Sequence, residues 1–526
     1  LPAALLCAPP SRPARPKGEA RPAPDPLVVR VGQGALCGAW AGAQREVRLF
    51  RGIPYAAPPV GDLRWRPPVP PASWRGVRDA TRFGPVCPQL PRTGLYRAAS
   101  GRQSEDCLTL NVWAPAGTPP APLPVLFWIH GGGHVMGAGS MRHYDGRVLA
   151  RRGAVVVTIN YRLGPFGFLV HPLLAAEAKK ERGRAVSGNL GLLDTIAALR
   201  WVKENVASFG GDPGRVTIFG ESAGAVSVGC LMVSPLAKGL FQRAIAQSGG
   251  VAGIARRDAE AQGRRLVEAL GVLGARDPLA ALRAIPAEKI LAVAHPVAAS
   301  IERKDRWGPV VDGWVLPDDP AKLWAQGRQH DVPFLVGTTA DDGGIFADQT
   351  PVKRPFGYRL LVKKIYGADA DEVLALYPPA RGAKLKQTMR DLLTASVFET
   401  AARAMARATE KVPSKAWRYR FSRVSPVAAS LGVGAAHGFE IPYVFGTGSA
   451  GLFAREEDRR VADAMGRMWV RFAATGDPNV EGLPAWPAYE SRTDPLLDFG
   501  TTLEVRRGLH REALDLFDRI RAGRAR

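Results

Sequence analysis

Residues 216–224 of this chain read VTIFGESAG and constrain its fold more than any other stretch. The β-branched run before Gly220 is typical of a buried strand, and the apolar AVSVGCLMV that continues from Gly224 has helical length. Ser222 therefore lies between two glycines in a sharp turn from strand to helix, where a larger side chain would crowd both elements. Such a turn presents the hydroxyl to free N–H groups at the start of the helix, which predicts a nucleophile. A surface serine in an ordinary turn is the alternative.

The rest of the chain alternates buried strands with amphipathic helices. LTLNVWAP, PVLFWIHGGG, AVVVTINYR and RVTIFG read as strands, and DTIAALRWVKENVASFG has apolar residues at helical spacing. This alternation predicts an α/β protein with a large, mostly parallel central sheet covered by helices on both faces. A serine at a strand-to-helix turn of such a sheet predicts the α/β-hydrolase fold. We expect one catalytic domain over 27–526, with cap helices within about 255–415.

Composition excludes several other classes of protein. The 526 residues are 46% hydrophobic, enough for a large core, but the longest apolar runs have strand length and predict no membrane span. The net charge of +23 would suit a nucleic-acid binder, yet the sequence shows no dense basic run and no nucleic-acid-binding signature. We therefore expect no nucleic-acid partner and interpret the charge as a solvated surface that attracts anionic substrates.

Residues 1–26 differ in composition from the rest. We interpret the apolar LPAALLCAPP as the remnant of a secretion signal and the following SRPARPKGEARPAPDP as a disordered spacer.

None of the five cysteines forms a CxxC pair or joins histidines at metal-ligand spacing, so we expect no metal site. Cys87 and Cys107 bracket a polar stretch, as the two ends of a disulfide-closed loop do. These features predict a secreted or periplasmic protein.

A nucleophilic serine needs a base, and the base needs an orienting carboxylate. The fold places the acid and then the histidine after the serine, where the candidates are His295, His330, His437 and His510. His437 is the best of them because it lies in a glycine-flanked loop, GAAHGFEIPYVF, after the strand-like RYRFS. The acid is expected after VPFLVGTTADDGG, where Asp341 and Asp342 both follow a strand and both remain open.

The oxyanion of the tetrahedral intermediate needs preorganised N–H donors. The strand PVLFWI leads into His130 and three glycines, whose backbone can approach a substrate carbonyl closely. We expect the donors to be Gly132, Gly133 and Ala223, the residue after the nucleophile.

Several longer stretches, in this order, resemble the type-B carboxylesterases, the family that includes the cholinesterases. They run from about residue 30 to 500 and read FRGIPYAAPPVGDLRWRPP, SEDCLTLNVWAP, WIHGGG, NYRLGPFGFL, GNLGLLD, FGGDPGRVTIFGESAG, VVDGWVLPDDP, AHGFEIPYVF and FAATGDPN. The resemblance implies a serine esterase of the α/β-hydrolase fold that acts on small-molecule esters without metal or organic cofactor.

Residue roles follow from the matching positions. The resemblance implies Ser222 as nucleophile, His437 as base and Asp342 as acid, with the oxyanion donors named above. It also implies a Cys87–Cys107 disulfide, a structural ion pair of Arg64 with Glu105, and two further polar residues near the site, Glu221 and Ser248. It leaves the oligomeric state, monomer or homodimer, undetermined.

Two positions depart from the family's usual pattern. The acid is commonly glutamate, whereas Asp342 is one methylene shorter, which keeps Asp341 open as an alternative. The residue after the glycines is His134, where an apolar or aromatic residue is usual. We interpret His134 as a packed wall of the site, with a more polar acyl pocket as the alternative.

The substrate prediction depends on the loop between Cys87 and Cys107. Cholinesterases hold a quaternary ammonium against a tryptophan there, whereas this loop has Tyr96 with Arg92, Arg97 and Arg102. We therefore expect carboxylic esters that are neutral or anionic, aryl esters included, and not choline esters. A non-catalytic adhesion module on the same fold and an amide or lactone hydrolase are the alternatives.

Overall fold

The computed structural model describes residues 26–90, 101–117, 119–294 and 306–524. Its main feature is an eleven-stranded sheet in the order β16-β15-β14-β13-β10-β9-β7-β8-β6-β4-β3. The seven strands from β8 to β15 are parallel, and antiparallel pairs complete the sheet at both ends. The strands are β1 Val28–Val31, β2 Gly34–Cys37, β3 Ala39–Trp40, β4 Val47–Pro54, β5 Val77–Asp79, β6 Thr109–Pro115, β7 Leu123–Ile129, β8 Val155–Ile159, β9 Gly211–Glu221, β10 Arg243–Gln247, β11 Ile254–Ala255, β12 Val310–Val311, β13 Phe334–Thr339, β14 Ala416–Phe421, β15 Pro495–Phe499 and β16 Leu503–Arg507.

Helices follow most of the parallel strands. They are α1 Arg147–Arg151, α2 Gly164–Phe168, α3 Pro172–Arg182, α4 Leu190–Asn205, α5 Ala223–Leu231, α6 Arg256–Ala269, α7 Pro278–Ala284, α8 Ala287–Val293, α9 Pro320–Ala325, α10 Gly344–Asp348, α11 Pro355–Tyr366, α12 Ala370–Leu376, α13 Ala383–Leu393, α14 Thr400–Thr409, α15 Pro426–Ser430, α16 Ile441–Phe445, α17 Glu456–Thr475 and α18 Arg511–Arg524. Among the described residues, no helix is both long enough and apolar enough to cross a membrane.

The central strands are buried on both faces, which explains their unbroken apolar sequences. All five residues of β8, VVVTI, are buried, as expected for parallel strands covered by helices. Along β7 the side chains alternate between two hydrophobic cores, with Val125, Phe127 and Ile129 in one and Leu126 and Trp128 in the other. The sheet therefore separates two cores, and its carboxyl edge is held rigidly between them.

The segment from about 255 to 415, within which we expected cap helices, contains a separate group of helices and a part of the central sheet. Helices α11, α12 and α13 pack with α18 around a separate hydrophobic cluster that includes Tyr358, Met389 and Phe517. Strand β13 is a central strand of the sheet, and α14 packs against β13 and β14. Helix α17 ends at Thr475 and is followed by Gly476, whose φ of 83° is the left-handed conformation that glycine commonly adopts after a helix.

Candidate active site

Ser222 occupies a strained turn between β9 and α5. Its φ of 56° and ψ of −123° are rare for a residue with a side chain, and its N–H donates to the carbonyl of Gln247 on the neighbouring strand at 2.9 Å. A Cβ at Gly224 would lie 2.0 Å from the carbonyl oxygen of Ile129, and one at Gly220 would lie 2.7 Å from the same atom. The two glycines are thus required by close backbone contacts, and these contacts hold the serine at the turn.

The glycine run after β7 passes directly beside this turn. A Cβ at Gly131 would lie 3.1 Å from the Cβ of Ser222, so the loop and the serine are in contact. Gly132 has a φ of 101°, and a Cβ there would lie 2.2 Å from the carbonyl oxygen of Met136. Gly133 has a φ of 63° and open space around its Cβ position, with only the Val135 side chain at 3.8 Å. The loop is therefore tightly folded at Gly132 and open at Gly133.

His437 and Asp342 come together at the carboxyl edge of the sheet. Nδ1 of His437 lies 2.8 Å from Oδ1 of Asp342, and both side chains are buried. The other carboxylate oxygen of Asp342 accepts the N–H of Thr339 at 2.8 Å, which fixes the carboxylate at the end of β13. With Nδ1–H donated to Asp342, Nε2 of the neutral imidazole is the nitrogen left to accept a proton.

The neighbouring aspartate points to a different partner. A carboxylate oxygen of Asp341 lies 3.5 Å from Nη1 of Arg390, and the Asp341 N–H donates to the carbonyl of Ala435 at 2.9 Å. Of the two aspartates that the sequence left open, Asp342 is the one bonded to His437.

A second carboxylate reaches the same imidazole. Oε1 of Glu221 lies 3.1 Å from Nε2 of His437, and Oε2 would be 2.6 Å from a Cβ at Gly131. Because Glu221 precedes Ser222 directly, this contact brings His437 to the nucleophile turn. His437 also lies between the rings of Phe346 and Phe398, with centroid distances of 5.5 Å and 5.2 Å.

Glu440 is a third buried carboxyl group and was not predicted from the sequence. It is fully buried, and its Oε1 accepts a hydrogen bond from Nε2 of Gln247 at 3.1 Å. The backbone carbonyl of that same Gln247 holds Ser222, so Glu440 is joined to the nucleophile turn through one residue. A glutamate three residues after His437 in an otherwise apolar stretch, FEIPYVF, was the available signal.

The electrostatics of the cluster follow from burial and from the surplus of carboxylates. Burial by itself disfavours the charged imidazole, but Glu221, Asp342 and Glu440 outweigh it and raise the pKa of His437 above the usual 6.5. Burial also raises the pKa of Glu221 and of Glu440 above the usual 4.5, and their repulsion with Asp342 adds to this. His437, Glu221 and Glu440 therefore titrate as one coupled system.

Three further candidate residues from the sequence, Ser248, His330 and His510, have hydrogen-bond partners other than His437 and Asp342. Ser248 is buried beside the site, and its N–H donates to the carbonyl of Gly337 at 2.8 Å. His330 is bonded to the carbonyl of Ser234 at 2.9 Å, and His510 to Glu399 at 2.8 Å, so neither contributes to the cluster. His295 lies outside the described residues.

The segment between Cys87 and Cys107 has covalent and ionic contacts at its ends. Cys87 and Cys107 form a disulfide with a Cα–Cα distance of 5.1 Å. Arg64 forms a two-pronged ion pair with Glu105, with Nε to Oε2 at 2.8 Å, and its Nη1 donates to the carbonyls of Arg283 and Ile285. Arg102 is exposed, whereas Arg92, Tyr96 and Arg97 lie outside the described residues.

This sheet, with a serine at the turn after β9 and a carboxylate and a histidine after later strands, defines an α/β-hydrolase. Solved structures agree: a carboxylesterase of Geobacillus stearothermophilus at pH 6.2 matches with a TM-score of 0.81 at 37% identity, covering 93% of this chain and 100% of that one. A PNB esterase matches with a TM-score of 0.80 at 35% identity, covering 93% and 100%.

The chain belongs to the carboxylesterase family, whose sequence profile matches residues 25–517. It is 40% identical to the fumonisin B1 esterase of Sphingopyxis macrogoltabida, over 92% of this chain and 88% of that protein. It is 39% identical to the para-nitrobenzyl esterase of Bacillus subtilis (strain 168), over 88% and 93%. The protein is thus a carboxylic-ester hydrolase, as its sequence motifs predict.

Proposed function

We propose that this carboxylesterase works through a Ser222–His437–Asp342 triad and an acyl-enzyme. The observation that supports it most is the bond between His437 and Asp342, because it leaves Nε2 of the imidazole facing the residues of the nucleophile turn. An ester hydrolase needs this combination, since a serine hydroxyl is a weak nucleophile until a base takes its proton.

The reaction proceeds in two acyl transfers. Nε2 of His437 takes the Ser222 proton as Oγ attacks the ester carbonyl, and the developing oxyanion is held by the N–H groups of Gly132, Gly133 and Ala223. His437 then gives the proton to the leaving alkoxide as the carbon–oxygen bond breaks. A water molecule deprotonated by the same imidazole attacks the acyl-enzyme, and Ser222 leaves with the proton. Asp342 keeps the imidazole oriented and stabilises its charged form throughout.

For the substrate we propose neutral and anionic esters of small to medium size, aryl esters among them. The support is the net charge of +23, the exposed Arg102 at the disulfide-closed loop, and the arginines of that loop's sequence. The names of the relatives add para-nitrobenzyl esters and fumonisin B1 as compounds to test. We further propose that the protein is exported, which the Cys87–Cys107 disulfide supports.

The test combines a chromogenic ester series with a nucleophile variant. We expect wild-type enzyme to hydrolyse p-nitrophenyl esters and Ser222→Ala to lose at least about 10⁴-fold in kcat. The substrate series pairs a neutral acyl ester with one that carries a terminal carboxylate and one that carries a quaternary ammonium. The anionic ester should show the highest kcat/KM at low salt, and the advantage should shrink as salt is added. Substantial turnover by Ser222→Ala would overturn the triad, and a preference for the cationic ester would overturn the substrate assignment.

A further inference from the structure

His134 connects two parts of the chain that the proposed reaction needs at a fixed distance. It follows the glycine run directly, and its Nε2 lies 3.0 Å from Oγ of Ser227 on α5. Both residues are buried, with 5% and 2% of their surface exposed. Ser227 lies one helical turn beyond Ala223, so this bond joins the glycine loop to the first turns of the helix that carries the nucleophile.

The remaining contacts of His134 hold both its backbone and its ring. Its φ of 58° is left-handed, which is uncommon for a residue with a side chain, and its carbonyl accepts the N–H of Gly164 at 2.7 Å. The ring packs edge-on against Phe168 and Tyr161, with centroid distances of 5.1 Å and 6.3 Å. The imidazole is therefore held in one orientation and does not rotate freely.

The imidazole of His134 stays neutral over the working range of an esterase. Its burial lowers the pKa to about 3, and a hydrogen bond with the backbone of Ala223 opposes that effect only in part. The bond to Ser227 is consequently a neutral hydrogen bond whose strength does not change with pH between mildly acidic and mildly basic conditions.

We propose that the His134–Ser227 hydrogen bond is a positioning device for the oxyanion hole. It sets the spacing between the glycine loop, which supplies Gly132 and Gly133, and the helix start, which supplies Ala223. Donors of this kind stabilise the transition state only when they already stand where the charge will develop. The inference rests on the proposed triad and oxyanion donors.

The test is a double-mutant cycle of His134→Phe, Ser227→Ala and the double variant. Phenylalanine keeps the ring packing and removes the polar contacts of the imidazole, which are to Ser227 and to the backbone of Ala223. We expect each single variant to lower kcat by about 10-fold, with KM nearly unchanged, and the double variant to fall no further than His134→Phe alone. The serine adds to the carbonyl of an aryl trifluoromethyl ketone and forms a tetrahedral alkoxide. Inhibition by such a ketone should therefore weaken by the same factor as kcat/KM.

Two further readouts separate positioning from mere stability. His134→Gln can present its side-chain nitrogen near the place of Nε2 and should recover part of kcat relative to His134→Phe. The pH dependence of kcat/KM should keep its shape in all these variants, because His134 does not titrate in that range. As controls we use His330→Phe, which removes a second histidine hydrogen bond, to the backbone carbonyl of Ser234 beyond the far end of α5, and Ser234→Ala, which removes a buried hydroxyl and leaves that carbonyl in place. They should leave kcat and ketone inhibition unchanged.

The proposal is overturned if His134→Phe retains wild-type kcat and ketone affinity, or if the two single effects multiply in the double variant. A lower unfolding midpoint with unchanged kinetics would assign His134 to stability alone. A fluorophosphonate should still label Ser222 in His134→Phe, because the nucleophile itself is unchanged. Failure of the proposed triad would instead appear as activity in Ser222→Ala, so the two outcomes are distinct.

Discussion

Nε2 of His437 lies 3.1 Å from Oε1 of Glu221, so an imidazole bonded to Asp342 on one side faces a second buried carboxylate on the other. Glu221 stabilises the protonated imidazole, which is the form that cannot act as base. In the proposed mechanism the carboxylate that precedes Ser222 therefore helps to set the pH range of activity.

The pH dependence of kcat/KM should reflect the carboxylates around His437. Because the carboxylates raise the pKa of His437, the acidic limb of kcat/KM should have its midpoint above 6.5, and activity should fall as pH decreases through it. Glu221→Gln removes the largest of the effects that raise this pKa, so the limb should move towards lower pH. A pH profile of kcat/KM measured on both proteins checks this. An unchanged limb would show that Glu221 does not control the imidazole.

Glu440→Gln should also move the acidic limb of kcat/KM to lower pH, by less than Glu221→Gln does. Glu440 also raises the pKa of His437, but its effect is smaller than those of Glu221 and Asp342. Glutamine keeps the shape of the side chain and can retain the contact with Gln247. We expect a small shift of the acidic limb to lower pH with kcat preserved at the plateau. A shift to higher pH would contradict the placement of this carboxylate.

Substitutions of the adjacent residues Asp342 and Asp341 should have very different effects on kcat. Asp342→Asn should lower kcat by about 10³–10⁴-fold, because an amide can hold the imidazole in the wrong tautomer. Asp341→Asn removes the ionic contact to Arg390 but no contact to His437, so kcat should change less than about threefold. Steady-state kinetics on the two variants is sufficient, and similar losses in both would argue against Asp342 as the acid.

The glycine at the turn should be required for stability as well as for catalysis. In Gly224→Ala the new methyl group would lie 2.0 Å from the Ile129 carbonyl oxygen, which backbone movement must relieve. We expect the free energy of unfolding to fall by about 3 kcal/mol or more. Gly274→Ala is the control, because nothing lies within 4 Å of its Cβ position. Urea-unfolding midpoints of the two variants should differ clearly, and equal midpoints would contradict the packing described.

The disulfide should contribute to stability through the loop that it closes. Cys87 and Cys107 are 20 residues apart, and closing a loop of that size stabilises by about 3 kcal/mol in the chain-entropy model. Replacing both cysteines by serine should lower the unfolding midpoint while the triad stays intact. A midpoint equal to that of the oxidised wild type would contradict this.

Much of the fold and of the site could be predicted from the sequence because these features are local. The sequence VTIFGESAG carries its own turn, since a Cβ at Gly220 would lie 2.7 Å from the backbone of Gly224 within the same turn. The unbroken apolar strands likewise predict a parallel sheet, because only strands covered on both faces can bury every residue. The comparisons confirm both the fold and the family.

The choice between Asp341 and Asp342 required the tertiary structure. Both residues follow the same strand, and the resemblance favours Asp342 but keeps Asp341 open. In the structure Asp342 is bonded to His437 and Thr339, whereas Asp341 lies beside Arg390. The same holds for Glu440 and for the His134–Ser227 bond, where residues distant in sequence meet in a buried environment.

The amino-acid sequence alone thus determined the strand-to-helix turn, the order of the elements and the class of chemistry, because these depend on near neighbours along the chain. The partner of Glu440 and the contact between Glu221 and His437 were decided only by tertiary packing. Burial raises the energy of an unpaired charge, and which group relieves it depends on distances that a linear sequence does not contain.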